Sequence, residues 1–179
     1  ECYVELPDDP ALPVPSVLSP AVSGASYDGL LAVHSLSKRS NLAGYRLGSA
    51  AGDPAVVAAL LEVRRHAGFL VPAPVQAAAA AALDDDAHVR AQAETYRSRR
   101  AAMRPALEAA GFRIDHSEAG LYCWATRDEP CLDSVGWLAE RGILVAPGDF
   151  YGETGARHVR VALTATDERI AAAVSRLTA

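Results

Sequence analysis

Lysine is nearly absent from this chain. Of its 17 basic residues only Lys38 is a lysine, and all the others are arginine. Cysteine is scarce too. Cys2, Cys123 and Cys131 form no metal-binding spacing and cannot all pair, so they read as reduced thiols of a cytoplasmic protein, and no metal site is expected. Aromatic residues make up only 6%. No apolar run approaches membrane-spanning length, and the alanine run near residue 80 ends in Asp84-Asp85-Asp86. No basic excess exists either: the net charge of −5 and the pI near 5.5 argue against a nucleic-acid surface. The chain begins at Glu1, holds a single methionine, Met103, and shows no apolar signal segment. It is expected to be either processed or a piece of something longer.

What is present is a globular composition. Half of the 179 residues are hydrophobic and 22% are charged. That is enough for a real core in one domain or slightly more, and too apolar for disorder. The alanine and arginine richness has the look of a GC-rich coding bias that replaces surface lysines. A lysine kept against such a bias is expected to do what arginine cannot, namely act as a neutral amine.

Along the chain, Tyr3-Val4-Glu5-Leu6 reads as the tail of a strand, followed by a proline-rich loop over 7–24. Leu30 to His34 reads as a buried strand running into Ser35-Leu36-Ser37-Lys38, and a second apolar stretch covers Leu47 to Ala51. Asp53, Pro54 and Gly68 punctuate a helix with an apolar stripe of Val56, Val57, Leu60, Leu61 and Val63. A second helix is expected over Val75 to Leu83. A long helix follows from Ala87 to Ala110, kinked or broken at Pro105. Strands are expected at Phe112 to Asp115, Leu121 to Thr126, Ile143 to Ala146 and His158 to Leu163. Helices are expected at Leu132 to Arg141 and, capped by Thr166, at Asp167 to Leu177. The pattern is α/β in front and a small α+β unit behind, with the boundary inside the long helix near residues 86–95.

Lys38 follows a strand in a turn of small and polar residues, the edge of an α/β fold where ligands bind. Ser35 three residues before and Arg46 eight after add a hydroxyl and a guanidinium fork, which together suit a phosphate. An amine beside a phosphate site suits a Schiff-base cofactor with a phosphate handle. By residue type alone, a solvated lysine near an unrelated arginine is the stronger reading. His34 reads as structural, His66 and His88 as helix-surface residues, Arg64-Arg65 and Arg157 as solvated, and Trp124 and Trp137 as core.

The string from Ser35 to Gly48, Ser-Leu-Ser-Lys-Arg-Ser-Asn-Leu-Ala-Gly-Tyr-Arg-Leu-Gly, closely resembles the cofactor-attachment motif of class I/II pyridoxal-phosphate-dependent aminotransferases. Further stretches resemble the same family: Tyr96-Arg97-Ser98-Arg99-Arg100, Ala119-Gly120-Leu121-Tyr122, Pro147-Gly148-Asp149-Phe150-Tyr151-Gly152 and Val159-Arg160-Val161-Ala162. Details such as Ala43-Gly44-Tyr45-Arg46 and Arg160-Val161-Ala162-Leu163-Thr164 look most like actinobacterial succinyldiaminopimelate aminotransferases.

The resemblance implies an α/β fold, the C-terminal part of a fold-type-I transferase. Residues 1–90 would be the end of the large pyridoxal-phosphate-binding domain, and 91–179 the small C-terminal α+β domain. It implies Lys38 as the catalytic Schiff-base residue, with Tyr3, Ser35 and Arg46 holding the cofactor and Arg160 clamping the substrate carboxylate. Glutamate would be the amino donor and N-succinyl-2-amino-6-oxopimelate the keto acceptor, in diaminopimelate and lysine synthesis. The complete protein would be a homodimer in the cytoplasm. Family members are about twice this long, so these 179 residues alone are expected to be a poor enzyme. Two alternatives stand beside this reading: another pyridoxal-phosphate reaction on the same fold, such as a β-lyase, and a non-catalytic binding module.

Overall fold

A computed structural model describes residues 1–12 and 14–178. The chain divides into two compact units, Glu1–Gln92 and Ala93–Ala179.

The first unit opens differently from the expectation of a strand. Residues 2–5 form a turn, in which the Leu6 N–H donates to the Tyr3 carbonyl at 2.9 Å. That local bond takes the place of a ladder, which a strand can form only with a neighbour. The proline-rich loop holds one short helix, α1 (Pro20–Ser23). Next come β1 (Leu31–Ser35), the single turn α2 (Leu36–Arg39), a 3₁₀ turn at Ala43–Tyr45 and β2 (Gly48–Gly52). β1 and β2 pair antiparallel, from Leu31 opposite Gly52 to Ser35 opposite Gly48. The expected burial of this strand does not hold: only Ala32 is buried, and Val33 is 54% exposed. A two-stranded ribbon has two faces, and apolar sequence cannot bury itself without a layer on each.

α3 (Pro54–Ala67) starts and stops where its punctuation says. The Asp53 carboxylate accepts from Ala55 N–H at 2.8 Å and also from Gly29 N–H at 2.8 Å, so the cap ties the helix to the preceding loop. Gly68 closes α3 at φ 76°, a left-handed conformation that suits glycine. The stripe of α3 is nonetheless uncovered: Leu61 and Val63 are exposed, and no residue of α3 is buried. α4 (Ala73–Leu83) follows, then α5 (Ala87–Ala109), which continues unbroken through Pro105.

The second unit is a four-stranded antiparallel sheet in the order β3–β4–β6–β5, formed by β3 (Arg113–Asp115), β4 (Tyr122–Thr126), β5 (Ala146–Pro147) and β6 (Val159–Ala162). β5 is shorter than the sequence suggests. Of the expected strand, Ile143 and Val145 are buried, but only Ala146 pairs with β6. The alternation of β4 and β6 sorts the two faces. Cys123, Ala125, Val159 and Val161 are buried among Met103 and Leu107 of α5, Leu138 of α6 (Cys131–Glu140) and Ile170 of α7 (Asp167–Thr178) in the core. Tyr122, Trp124, His158 and Arg160 occupy the opposite face and remain half-buried.

Candidate active site

In the first unit the lysine is presented by a very short helix. Ser35 stands at its N-cap in extended conformation, and its hydroxyl accepts from Ser37 N–H at 3.2 Å. Leu36 N–H donates to the Leu47 carbonyl at 3.3 Å, which continues the β1–β2 pairing across the turn. Arg46 lies two residues before Gly48, the register partner of Ser35. The ribbon therefore returns Arg46 to the same end as Ser35 and Lys38. Arg46 has a left-handed backbone, φ 53°, and its exposed guanidinium donates to the Ala43 carbonyl at 2.9 Å. The Lys38 amine is half-buried and has no hydrogen-bond or ion-pair partner among the described residues. Tyr3 is half-buried in the N-terminal turn, which the Glu1 ammonium fastens to β1 by donating to the Val33 carbonyl at 2.7 Å.

A cleft of about 570 Å³ opens beside this ribbon, lined by Val33, Arg46, Gly48, Leu60, Arg64 and Leu70 among others. Arg64 is exposed, as its helix-surface pattern leads one to expect, and it also lines the cleft and donates to the Phe69 carbonyl.

Two contacts of the turn that carries Lys38 were not expected from sequence. Arg39 is buried, at 3% exposure. Its Nε donates to Glu5 at 3.0 Å, and its Nη groups donate to the Ala82 carbonyl and the Asp86 carboxylate, each at 2.6 Å. His88 is not merely a helix-surface residue. Its Nδ1 lies 3.0 Å from the Asp85 carboxylate and its Nε2 lies 3.0 Å from the Ser40 hydroxyl. No local pattern announces the bonds of Arg39 to Ala82 and Asp86 or the contact of His88 with Ser40, because those partners lie more than forty residues away in the chain.

In the second unit Arg160 projects from β6 onto aromatic faces. Its guanidinium carbon is 4.3 Å from the Tyr122 ring centre and 5.2 Å from that of Tyr151. Its Nε is buried without a hydrogen-bond partner, and no acid pairs with the side chain among the described residues. Aromatic faces orient a guanidinium without neutralising it, so the fork stays available to an incoming carboxylate.

Trp124 belongs to this face, contrary to the expectation of a core tryptophan. It stacks on His158 and meets Tyr151 edge-on at 5.8 Å. Trp137 is also half-buried, with the Arg141 guanidinium 3.6 Å from its ring centre. The His158 Nε2 is 3.0 Å from Asp115. Hydrogen bonds from Arg113 and then from His158 hold the Asp115 carboxyl down to about 2. The loop Pro147–Gly152 approaches closely: a Cβ on Gly148 would strike the backbone oxygens of Gly155 and His158. Arg100, in the Tyr96–Arg100 stretch, is buried and donates to the carbonyls of Ser117 at 2.7 Å and Gly120 at 2.5 Å, anchoring the approach to β4.

Lys38, Ser35, Arg46 and Tyr3 thus belong to the first unit and Arg160 to the second. The cysteines carry no disulfide. Among the described residues no group of three or more His, Cys, Asp or Glu side chains could hold a metal ion, and no helix is long and apolar enough to cross a membrane.

Residues 8–177 match the family described as aminotransferase class I and II. The chain belongs to this family. The family depends on pyridoxal phosphate. A probable aminotransferase of Mycobacterium tuberculosis is 68% identical over 99% of the chain, which spans 42% of that protein. The 4-dedimethylamino-4-oxo-anhydrotetracycline transaminase OxyQ of Streptomyces rimosus is 65% identical over 99% of the chain and 49% of its own length. Among solved structures, a probable N-succinyldiaminopimelate aminotransferase from Thermus thermophilus superposes with a TM-score of 0.80 at 30% identity, covering 98% of this chain and 47% of that one. The chain spans less than half the length of these aminotransferases, and the fold is that of fold-type-I members.

The residues present suit the family's cofactor. An amine unpaired among the described residues, a hydroxyl and a guanidinium with no acidic partner among them share one end of a short ribbon, which is the donor set that an aldehyde bearing a phosphate requires.

Proposed function

We propose that the protein containing this chain transfers amino groups between amino acids and keto acids with pyridoxal phosphate, and that Lys38 is its Schiff-base residue. The observation that carries this reading is the unpartnered Lys38 amine on its capped single turn, with Arg46 returned to the same end of the ribbon. Residues 1–90 are read as the end of the large cofactor-binding domain and 91–179 as the small domain.

Arg46 and Ser35 would hold the cofactor phosphate, and the Tyr3 hydroxyl would reach the ring hydroxyl. Bound pyridoxal phosphate supplies an aldehyde for a substrate amine and a ring that takes up the electrons of a cleaved α-C–H bond. The Lys38 Nζ, released as a neutral amine, lifts the proton from the substrate α-carbon and redelivers it. Arg160 grips the α-carboxylate with both arms, fixing which substrate bond is presented. Its two tyrosines limit the orientations of the fork and shed water from it.

For substrates we favour glutamate as donor and N-succinyl-2-amino-6-oxopimelate as acceptor, within diaminopimelate and lysine synthesis. The Thermus thermophilus relative supports this by its name. The name of OxyQ points to a polycyclic ketone instead, at higher identity. We place the complete protein in the cytoplasm as a homodimer.

The test uses full-length protein treated with pyridoxal phosphate and borohydride, followed by peptide mapping. One adduct at Lys38 is expected, along with keto-acid formation from glutamate that requires an added acceptor. Assays with both acceptor classes rank the two substrates. Keto acid formed without an acceptor would move the reading to a β-lyase, and absence of any adduct would overturn it.

A further inference from the structure

We propose that Arg39 and His88 are positioning residues for Lys38. On this view they brace the single helical turn that carries the lysine against the acidic corner Asp84–Asp86. The inference rests on the reading of Lys38 as the Schiff-base residue and adds to it the means by which that lysine is held.

α2 is four residues long. One helical turn closes too few hydrogen bonds to offset the entropy of ordering it, so it persists only when tertiary contacts hold it. The N-terminal side is held by Ser35 and by the ribbon. The C-terminal side is held by the two ties described above. The Arg39 guanidinium, immediately after Lys38, is buried and shared among Glu5, the Ala82 carbonyl and Asp86. Ser40, the next residue and the C-cap of α2, meets His88, whose other ring nitrogen meets Asp85. Backbone N–H donation from Ala87 and then contact with His88 keep the Asp85 carboxyl below its usual range, so this end of the tie stays ionised. Glu5 also lies 3.3 Å from His34, which extends the network back to β1.

The arrangement therefore uses charged groups away from the cleft-lining side chains. Each of the three Arg39 nitrogens donates into protein, leaving Lys38 as the cation of this turn without a partner among the described residues. A planar fork suits this task because it meets three partners in fixed directions, which a lysine ammonium cannot do.

The experiment compares wild-type full-length protein with Arg39→Lys and His88→Asn. It measures the rate at which pyridoxal phosphate becomes fixed to Lys38 by borohydride, the pH dependence of the bound cofactor's visible absorbance, and the melting temperature of the cofactor-free protein. Arg39→Lys keeps the charge and loses the fork. It is expected to slow fixation about tenfold and to displace the pH midpoint, while His88→Asn gives a smaller change in the same direction. If Arg39→Lys does not fold, His88→Asn alone decides, with at least a twofold slowing expected. Wild-type rates and pH midpoints in folded variants would overturn the brace and leave the function intact. No adduct in wild type would instead overturn the reading of Lys38 itself.

Discussion

The imidazole of His158 lies flat against the indole of Trp124, 5.0 Å between ring centres and 6° from parallel. Tyr151 closes the other edge of that indole and, with Tyr122, flanks Arg160. One face of the small sheet is thus an aromatic floor carrying the Arg160 guanidinium, which no acid pairs among the described residues.

Replacing Arg160 by lysine keeps the charge and removes the two-armed grip. A charge-assisted hydrogen bond contributes about 1.5–3 kcal/mol, so kcat/KM of the full-length enzyme for its amino donor is expected to fall roughly 10- to 150-fold. Steady-state kinetics check this, with an unchanged melting curve expected because the fork has no protein hydrogen-bond partner among the described residues.

Tyr122→Leu removes one face from beneath that guanidinium while preserving bulk. Cation–π contacts at partly exposed sites contribute about 0.5–1 kcal/mol, so KM for the donor is expected to rise about two- to fivefold with kcat nearly unchanged. Equal losses in kcat and kcat/KM would mean that Tyr122 acts in the chemical step instead.

Lys38→Arg retains a cation that never yields its proton at working pH. Full-length protein carrying it is expected to bind pyridoxal phosphate reversibly, form no borohydride-fixed adduct and lose transamination, with folding unaffected. Mass spectrometry and product assays on one preparation check all of this.

Asp115 makes acid stability testable. Its folded value of about 2 lies below the usual 3.8, so the folded state favours the ionised form. The stabilisation is complete above the unfolded value and fades as pH falls from about 4 towards 2. Urea midpoints are expected to drop over that interval, and Asp115→Asn is expected to flatten the drop while lowering stability at neutral pH.

Leu138 is fully buried where α6 faces the core. Leu138→Ala removes most of a buried side chain and leaves a cavity, which costs about 2–5 kcal/mol. Denaturant titration is expected to show a loss within that range and no change in the pH behaviour of Asp115.

Local chemistry made the second half of the chain easy to read. Alternation along β4 and β6 marked the strands, and Thr166 with Asp167 marked the start of α7. The lone lysine, the nearby serine and the arginine eight positions on were equally visible, because motif spacing is a property of neighbours in sequence. The turn at Tyr3 and the exposure of β1 and α3 were not visible, since burial depends on which layers cover a segment and not on its own pattern.

The sequence by itself determined which groups are the candidates for chemistry: one amine, one phosphate-suited pair and one arginine on an alternating strand. It also determined where most helices start and stop, because caps, prolines and glycines act over three or four residues. Only the tertiary structure decided that Arg39 is buried, that His88 reaches Ser40, and that Trp124 floors the Arg160 face and does not fill the core. Those outcomes depend on partners tens of residues apart, brought together by the free energy of burying one face of a sheet and satisfying each buried charge.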